Sequence, residues 1–323
     1  VGDLLSFPKK QIINFVLKNV KKMIPPFNLP DAVEFNQALS IGASKGFKPV
    51  EIKSDDVAFL QYTGGTTGVS KGAMLTHRNV LANMMQTGIW ISKEFKKREE
   101  VVMVALPLYH IFSLTAMCSF LQWGAKCVLI TNPRDMKGLV KEWAKNKFTV
   151  ICGVNTLFNG LLRVPEFKNL DFSMLKLTVG GGTQVQKPVA EAWFDSTKGH
   201  IIEAYGLTEA SPGVSANPMY TPWNGSVGFP FPSTEVSIRG EGFRDLGTWT
   251  TPNEIQEHTG EICVRGPQVM KGYWNRPDET AATIRDGWLR TGDIGNMDSN
   301  GRITITDRQK DMILVSGFNV YPN

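Results

Sequence analysis

From about residue 55 to 218, short apolar runs alternate with stretches of helical spacing, and no other feature restricts the fold as much. The runs at 57–62, 101–106, 126–131, 148–152, 175–180 and 200–204 are predicted strands. The stretches at 76–91, 112–123, 135–146, 155–163 and 185–196 are predicted helices. Strands joined through helices pair in parallel, and a parallel sheet needs cover on both faces. From about 224 to 306 the texture changes. Runs such as Val236-Ser237-Ile238, Gly260–Arg265 and Ile303–Thr306 are separated by turns containing Gly and Pro. That pattern predicts a small antiparallel sheet or barrel. The expected fold class is therefore α/β: a largely parallel sheet covered by helices, followed by a β-rich subdomain.

One segment within this frame speaks for chemistry. Residues 62–72 read Tyr-Thr-Gly-Gly-Thr-Thr-Gly-Val-Ser-Lys-Gly, directly after the predicted strand Val57–Tyr62. Glycines let the backbone curl close to a ligand, and a curled backbone turns successive N–H groups into an anion-binding nest. Thr63, Thr66 and Thr67 add hydroxyl donors, and Lys71 adds a point charge that suits phosphate. The Walker loop is excluded, because Ser70 precedes Lys71 and Gly72 follows it. The dinucleotide fingerprint is excluded as well, since no glycines stand at its spacing. A flexible turn with a solvated lysine would use some of the same letters; three threonines among the glycines favour a phosphate loop.

The same residues resemble the signature loop of the adenylate-forming superfamily, which includes acyl-CoA synthetases, luciferases and peptide-synthetase adenylation domains. The chain departs from that loop at Gly65 and Ser70, where other small residues stand. Further blocks follow in the superfamily's order: Val179-Gly180-Gly181-Gly182-Thr183, Tyr205-Gly206-Leu207-Thr208-Glu209, Gly287–Asp293, Asp307–Asp311 and Gly317–Pro322. The look of Pro107–Phe112 and Met312–Gly317 is that of the bacterial long-chain fatty-acid–CoA ligases.

The resemblance implies two steps. A fatty-acid carboxylate attacks the α-phosphorus of ATP, giving acyl-AMP and pyrophosphate; the thiol of CoA then takes the acyl group. It implies roles too. Thr63, Gly64, Gly65, Thr66, Thr67, Gly68 and Lys71 would hold phosphates. Gly181, Gly182 and Thr183 would lie along adenine, with Tyr205 and Gly206 packed on it. Asp293 and Arg308 would contact ribose. Thr208 and Glu209 would act in catalysis, Glu209 as the Mg²⁺ ligand, with His110 near the acyl carboxylate. Lys310 would be a hinge. Plainer readings exist for several of these. Glu209 would serve as an acid at a helix start, Asp293 as a turn former, and His110 as a core histidine.

The implied domains are a helical segment over 1–54 packing on the core, an α/β subdomain over 55–223 for nucleotide and acyl group, and a β-rich subdomain over 224–306. Residues 307–323 would be the hinge and the start of a lid domain, making the chain an internal fragment with little activity of its own. An aryl-CoA ligase, a luciferase-like enzyme and a non-catalytic nucleotide-binding module are the competing functions.

Composition excludes some classes. A net charge of +5 over 323 residues is too mild for a nucleic-acid binder. The basic run Lys93–Arg98, followed by Glu99 and Glu100, reads as a solvated face. The cysteines at 118, 127, 152 and 263 lack metal-site spacing and read as reduced thiols, hence a cytoplasmic setting. The apolar stretch Ile111–Ile130 is broken at Trp123-Gly124, as in a buried helix followed by a strand. Residues 9–24 form a basic amphipathic helix ended by Pro25-Pro26. Packing on a neighbouring element is the favoured use of its stripe, and peripheral contact with the inner membrane surface is the other.

Overall fold

The computed structural model describes residues 5–63, 70–308, 313–315 and 318–320. The chain divides into two units, Val1–Ile52 and Lys53–Asn323. In the first, α1 (Lys9–Phe15) runs into a π-turn at Val16–Val20, and α2 spans Phe35–Ser44. The expected helix over 9–24 thus forms, ending a few residues before Pro25-Pro26. Among the described residues no helix of the chain is long and apolar enough to cross a membrane.

The second unit begins with a hairpin of β1 (Val57–Thr63) and β2 (Lys71–Thr76), paired antiparallel in a sheet of their own. The strand before the glycine-rich loop is present, but it lies outside the parallel sheet. The segment between β1 and β2 is too short for a parallel crossover, which takes a dozen or more residues. Helix α3 (His77–Ile91) follows without a break. Thr76 caps it: Asn79 N donates to Thr76 Oγ1 at 3.2 Å, and Thr76 N donates to Asn79 Oδ1 at 2.9 Å. Thr76→Ala removes half of this reciprocal cap and lowers stability by about 1 kcal/mol, read as a shifted urea midpoint with an unchanged slope.

Next come β3 (Val101–Val104), α4 (Ile111–Gln122), β4 (Lys126–Leu129), α5 (Met136–Asn146), β5 (Val150–Gly153), α6 (Asn155–Leu162), β6 (Leu177–Gly180), α7 (Lys187–Thr197) and β7 (Ile201–Gly206). They match the predicted alternation to within a few residues. β8 (Gly213–Ala216) and β9 (Phe229–Pro230) complete a seven-stranded sheet of order β4-β3-β5-β6-β7-β8-β9. β4 to β7 pair in parallel; β7, β8 and β9 pair antiparallel. Alternate strand residues feed two cores. Met103, Ile151 and Ile201 pack with Trp143, Phe158 and Trp193 of α5, α6 and α7. Val102, Val104, Val150 and Ile202 pack with Phe95 and Phe120 on the other face. Both faces are therefore covered, and this period-two sharing explains why these strands read as continuous apolar runs.

The basic run before β3 is only partly a solvated face. Phe95 and Glu100 are buried. Lys176 Nζ donates to Glu100 Oε1 at 2.6 Å, so the carboxylate is paired where the sequence suggested it was solvated.

The β-rich part has β10 (Glu235–Arg239), β11 (Gly260–Arg265), the helix α8 (Pro277–Thr283), β12 (Ile284–Arg285), β13 (Trp288–Met297) and β14 (Ile303–Arg308). The strands form one antiparallel sheet, with β14 on the far half of β13. A third core joins this sheet to the hairpin and to β8 through Leu75, Val214, Ile238, Ile262 and Val264. The buried amides of α3 bind the same region: Asn79 Nδ2 donates to the carbonyls of Pro267 and Val269 at 2.8 Å each. Two short strands, β15 (Ile313–Val315) and β16 (Phe318–Val320), form a last hairpin.

Candidate active site

The parallel strands set where a site can form. β3 and β4 are joined in one direction across the sheet, and β5 then returns to the other side of β3. Such a reversal opens a crevice at the carboxyl ends of the strands. A cavity of about 1200 Å³ lies there, lined by residues that directly follow β3, β5, β6 and β7: Ala105, Val154, Gly181 and Leu207.

Its wall is of two kinds. One part is apolar and includes Trp90, Phe112, Phe120, Leu177, Ile202 and Phe231. The other carries ten of the residues singled out from sequence: Thr63, Lys71, His110, Gly181, Gly182, Tyr205, Gly206, Thr208, Glu209 and Asp293. Thr183 is next in the same turn and is not part of the wall. Gly64, Gly65, Thr66, Thr67, Gly68 and Lys310 lie outside the described residues. Arg308 is placed by its backbone, directly opposite Asp293 in the β13–β14 ladder.

Two glycines here have a steric reason. Gly182 has φ +74°, a conformation that side chains disfavour. A Cβ on Gly206 would come within 2.2 Å of the Pro212 carbonyl oxygen, so the chain folds back tightly after β7.

Asp293 is not the turn former that its sequence offered: it lies inside strand β13. The ladder between β11 and β13 is irregular there, with Cys263 opposite Arg290 and Glu261 opposite Ile294. Thr291, Gly292 and Asp293 thus bulge out opposite Ile262, and bulges re-aim side chains. Glu261 fixes the bulge, accepting from Gly292 N at 3.1 Å and from Arg290 Nε at 2.9 Å. Thr291 Oγ1 donates to the Ile262 carbonyl at 2.7 Å. The buried Asp293 carboxylate then meets Tyr205, whose hydroxyl donates to Oδ2 at 2.6 Å. This bond bridges β7 of the parallel sheet and β13 of the antiparallel one.

Glu209 sits in a single 3-10 turn, Thr208–Ala210, rather than at the start of a helix, and it is half-buried. Sequence reasoning missed its partner. Tyr273 donates its hydroxyl to Glu209 Oε1 at 2.6 Å. Burial and the nearby Glu209 charge push the Tyr273 pKa far up, so the phenol remains a donor. The segment around Tyr273 runs beside β2: Met74 N donates to the Gly272 carbonyl and Trp274 N to the Gly72 carbonyl, both at 2.8 Å. The same pairing sets Lys71 over the Tyr273 ring, 5.4 Å from its centroid. Lys71 Nζ makes an ion pair with Glu279 of α8, a second residue the motifs did not flag.

His110 is the residue that precedes α4, its ring tilted against that of Tyr109 with centroids 4.8 Å apart. Partial burial lowers its pKa and so favours the neutral imidazole. It is exposed and lines the cavity, which removes the core-histidine reading.

Among the described residues no cluster of three or more His, Cys, Asp or Glu could cage a metal. Mg²⁺ does not need one, since it takes one or two carboxylates and completes its shell with phosphate and water. Glu209 fits that use, as Tyr273 occupies one of its two oxygens.

The family model described as "AMP-binding enzyme" matches residues 8–274. A long-chain-fatty-acid–CoA ligase of Salmonella typhimurium is 52% identical over 325 residues, which cover 100% of this chain and 56% of that protein. The chain thus spans a little over half the length of the curated relative it matches. The ATP-bound structure of MatB from Rhodopseudomonas palustris superposes with a TM-score of 0.72 at 29% identity, over 88% of this chain and 55% of that one. The inhibitor-bound N-terminal domain of FACL13 from Mycobacterium tuberculosis shares the fold, with a TM-score of 0.76 at 24% identity over 93% and 73% of the two chains.

Proposed function

Because the chain belongs to the AMP-binding enzyme family, we propose that it supplies the nucleotide and acyl sites of an ATP-dependent long-chain fatty-acid–CoA ligase. A fatty-acid carboxylate attacks the α-phosphorus of ATP and expels pyrophosphate; the CoA thiol then displaces AMP from the acyl carbon. The observation that carries this reading is one cavity whose wall joins Tyr205, Glu209 and Asp293 to a broad apolar surface.

The residues divide the work. Asp293 accepts the ribose hydroxyls, and its bond to Tyr205 holds the phenol ring against adenine. Lys71 exchanges Glu279 for a phosphate, and the loop before it, outside the described residues, adds backbone donors. Glu209 offers a carboxylate oxygen to Mg²⁺, which when bound with ATP offsets charge as two anions approach. His110, being neutral, orients the acyl carboxylate by a hydrogen bond without adding charge. The apolar wall holds the alkyl chain and keeps water from the mixed anhydride.

The test is a competition titration of this chain with AMP, a non-hydrolysable palmitoyl-AMP analogue and a feruloyl-AMP analogue. Each methylene buried adds about 0.8 kcal/mol, so the palmitoyl analogue binds more than roughly tenfold tighter than AMP. The feruloyl analogue binding tighter than the palmitoyl one would replace the fatty-acid reading with an aryl one. Failure of AMP to displace the palmitoyl analogue would separate the two sites and end the proposal. Asp293→Asn weakens AMP binding by roughly tenfold, the effect of removing the charge from a hydrogen-bond acceptor that remains in place. An unchanged dissociation constant would take Asp293 out of the site.

A further inference from the structure

The turn between β6 and α7 carries Gly181 and Gly182 into the cavity wall, and it is held from beneath. Val185, wholly buried in this turn, donates its N–H to Glu203 Oε1 at 3.1 Å. The carbonyl of Val185 accepts Trp223 Nε1 at 2.8 Å. One residue on, Gln186 N donates to Asn155 Oδ1 at 3.0 Å. Glu203 lies on β7, opposite Gly180 in the β6–β7 ladder and two residues before Tyr205. It is 5% exposed, and its Oε2 has no hydrogen-bond partner. A buried carboxylate with one idle oxygen is costly when charged.

Among the described residues, the surroundings bring it no counter-charge. β6, the turn and the 217–219 segment contain no ionisable side chain. On α7, Lys187, Glu191 and Asp195 are all exposed, and Tyr220 beside Trp223 is exposed as well. Burial accordingly raises the Glu203 pKa to about 7, against the weaker opposing effect of the Val185 N–H.

We propose that Glu203 is a positioning residue of the nucleotide site, fixing the Gly181–Gln186 turn for the adenine, and that adenosine binding is linked to retention of the Glu203 proton. This rests on the reading that adenine lies along that turn. A bound nucleoside seals the turn and further dries the carboxyl beneath it, so the bound form prefers the proton more than the free form does. Ionisation adds charge to a dry site, and the single Val185 N–H, although it bonds a carboxylate more strongly, does not offset that cost. The sign follows. The folded pKa is raised above the unfolded value, so stability falls as pH rises from about 4.5 to about 7. Above that window, affinity for the nucleoside falls as Glu203 ionises.

The probe is adenosine, which has no group of its own titrating near neutrality, followed by calorimetry from pH 6 to 8.5 at fixed ionic strength. In the wild type the dissociation constant rises about three- to tenfold across this range, the change expected for a pKa displacement of up to one unit. In Glu203→Gln the constant is nearly flat and close to the wild-type low-pH value, because the amide still accepts from Val185 N. Trp223→Phe, which drops only the indole donor, weakens binding at every pH and keeps the slope. Equal slopes in the wild type and Glu203→Gln overturn the proposal while leaving the nucleotide site intact. Absence of adenosine and AMP binding at any pH overturns both.

Discussion

Glu209→Gln lowers the rate of adenylation by roughly 10²–10³-fold, the usual size of one lost electrostatic contact in a transition state. The substitution keeps size and shape. The amide oxygen still accepts the Tyr273 hydroxyl, and the Met270 N–H still donates to the Glu209 backbone carbonyl at 2.8 Å, so the 3-10 turn is retained. What changes, on the proposed role of Glu209, is the charge offered to Mg²⁺. The rate is read by ATP–pyrophosphate exchange with palmitate in a polypeptide of the relatives' full length. In the present chain, AMP binding without metal stays within about twofold, since AMP alone makes little use of a metal carboxylate. Wild-type exchange by the Gln variant at saturating magnesium would remove Glu209 from the mechanism.

Trp193→Ala lowers stability by about 3–5 kcal/mol, the range for deleting a large buried aromatic. Trp193 is fully buried on α7. Its ring sits 5.0 Å from Phe158, 5.4 Å from Phe167 and 6.3 Å from Trp143, mostly edge to face. Its Nε1 donates to Thr178 Oγ1 at 3.2 Å, so the mutation also leaves a buried hydroxyl short of a partner. Several stiff rings around one vacancy cannot collapse together, which places the loss toward the upper half of the range. Urea unfolding followed by far-ultraviolet circular dichroism gives the number. A loss below about 1 kcal/mol would show that the aromatic cluster relaxes as a fluid would, contrary to its packing.

The parallel part of the fold was legible because its signal is periodic. Each strand from Val101 to Gly206 except the edge strand β4 is buried on two faces and each intervening helix on one, and the two periods differ enough to be read from single residues. The β1–β2 hairpin misled for a local reason: strand periodicity does not say which sheet a strand joins. β13 hid Asp293 because Gly292-Asp293 has the composition of a turn. Tertiary bonds from Glu261 and Thr291 hold it in a bulged strand, and those partners lie about thirty residues away or face a different strand. Tyr273 and Glu203 were invisible for another reason. Their importance comes from what they touch, Glu209 and the Val185 amide, and nothing in Lys271-Gly272-Tyr273-Trp274 or Ile201-Ile202-Glu203 marks either contact. The motif blocks were legible as blocks: ten of their residues line one cavity. The geometry inside the cavity was not.

The placement of Asp293 opposite Arg308 has a mechanical consequence. Antiparallel rungs are stiff along the hydrogen-bond direction, so tension on the backbone leaving β14 reaches the carboxylate's own rung with no intervening joint. The acid is a strain gauge mounted at the root of the next segment. The coupling runs both ways: in the proposed nucleotide complex, a ribose clamping Asp293 also braces the rung it shares with Arg308, and any pull on Arg308 is felt as a change in how tightly that ribose is gripped.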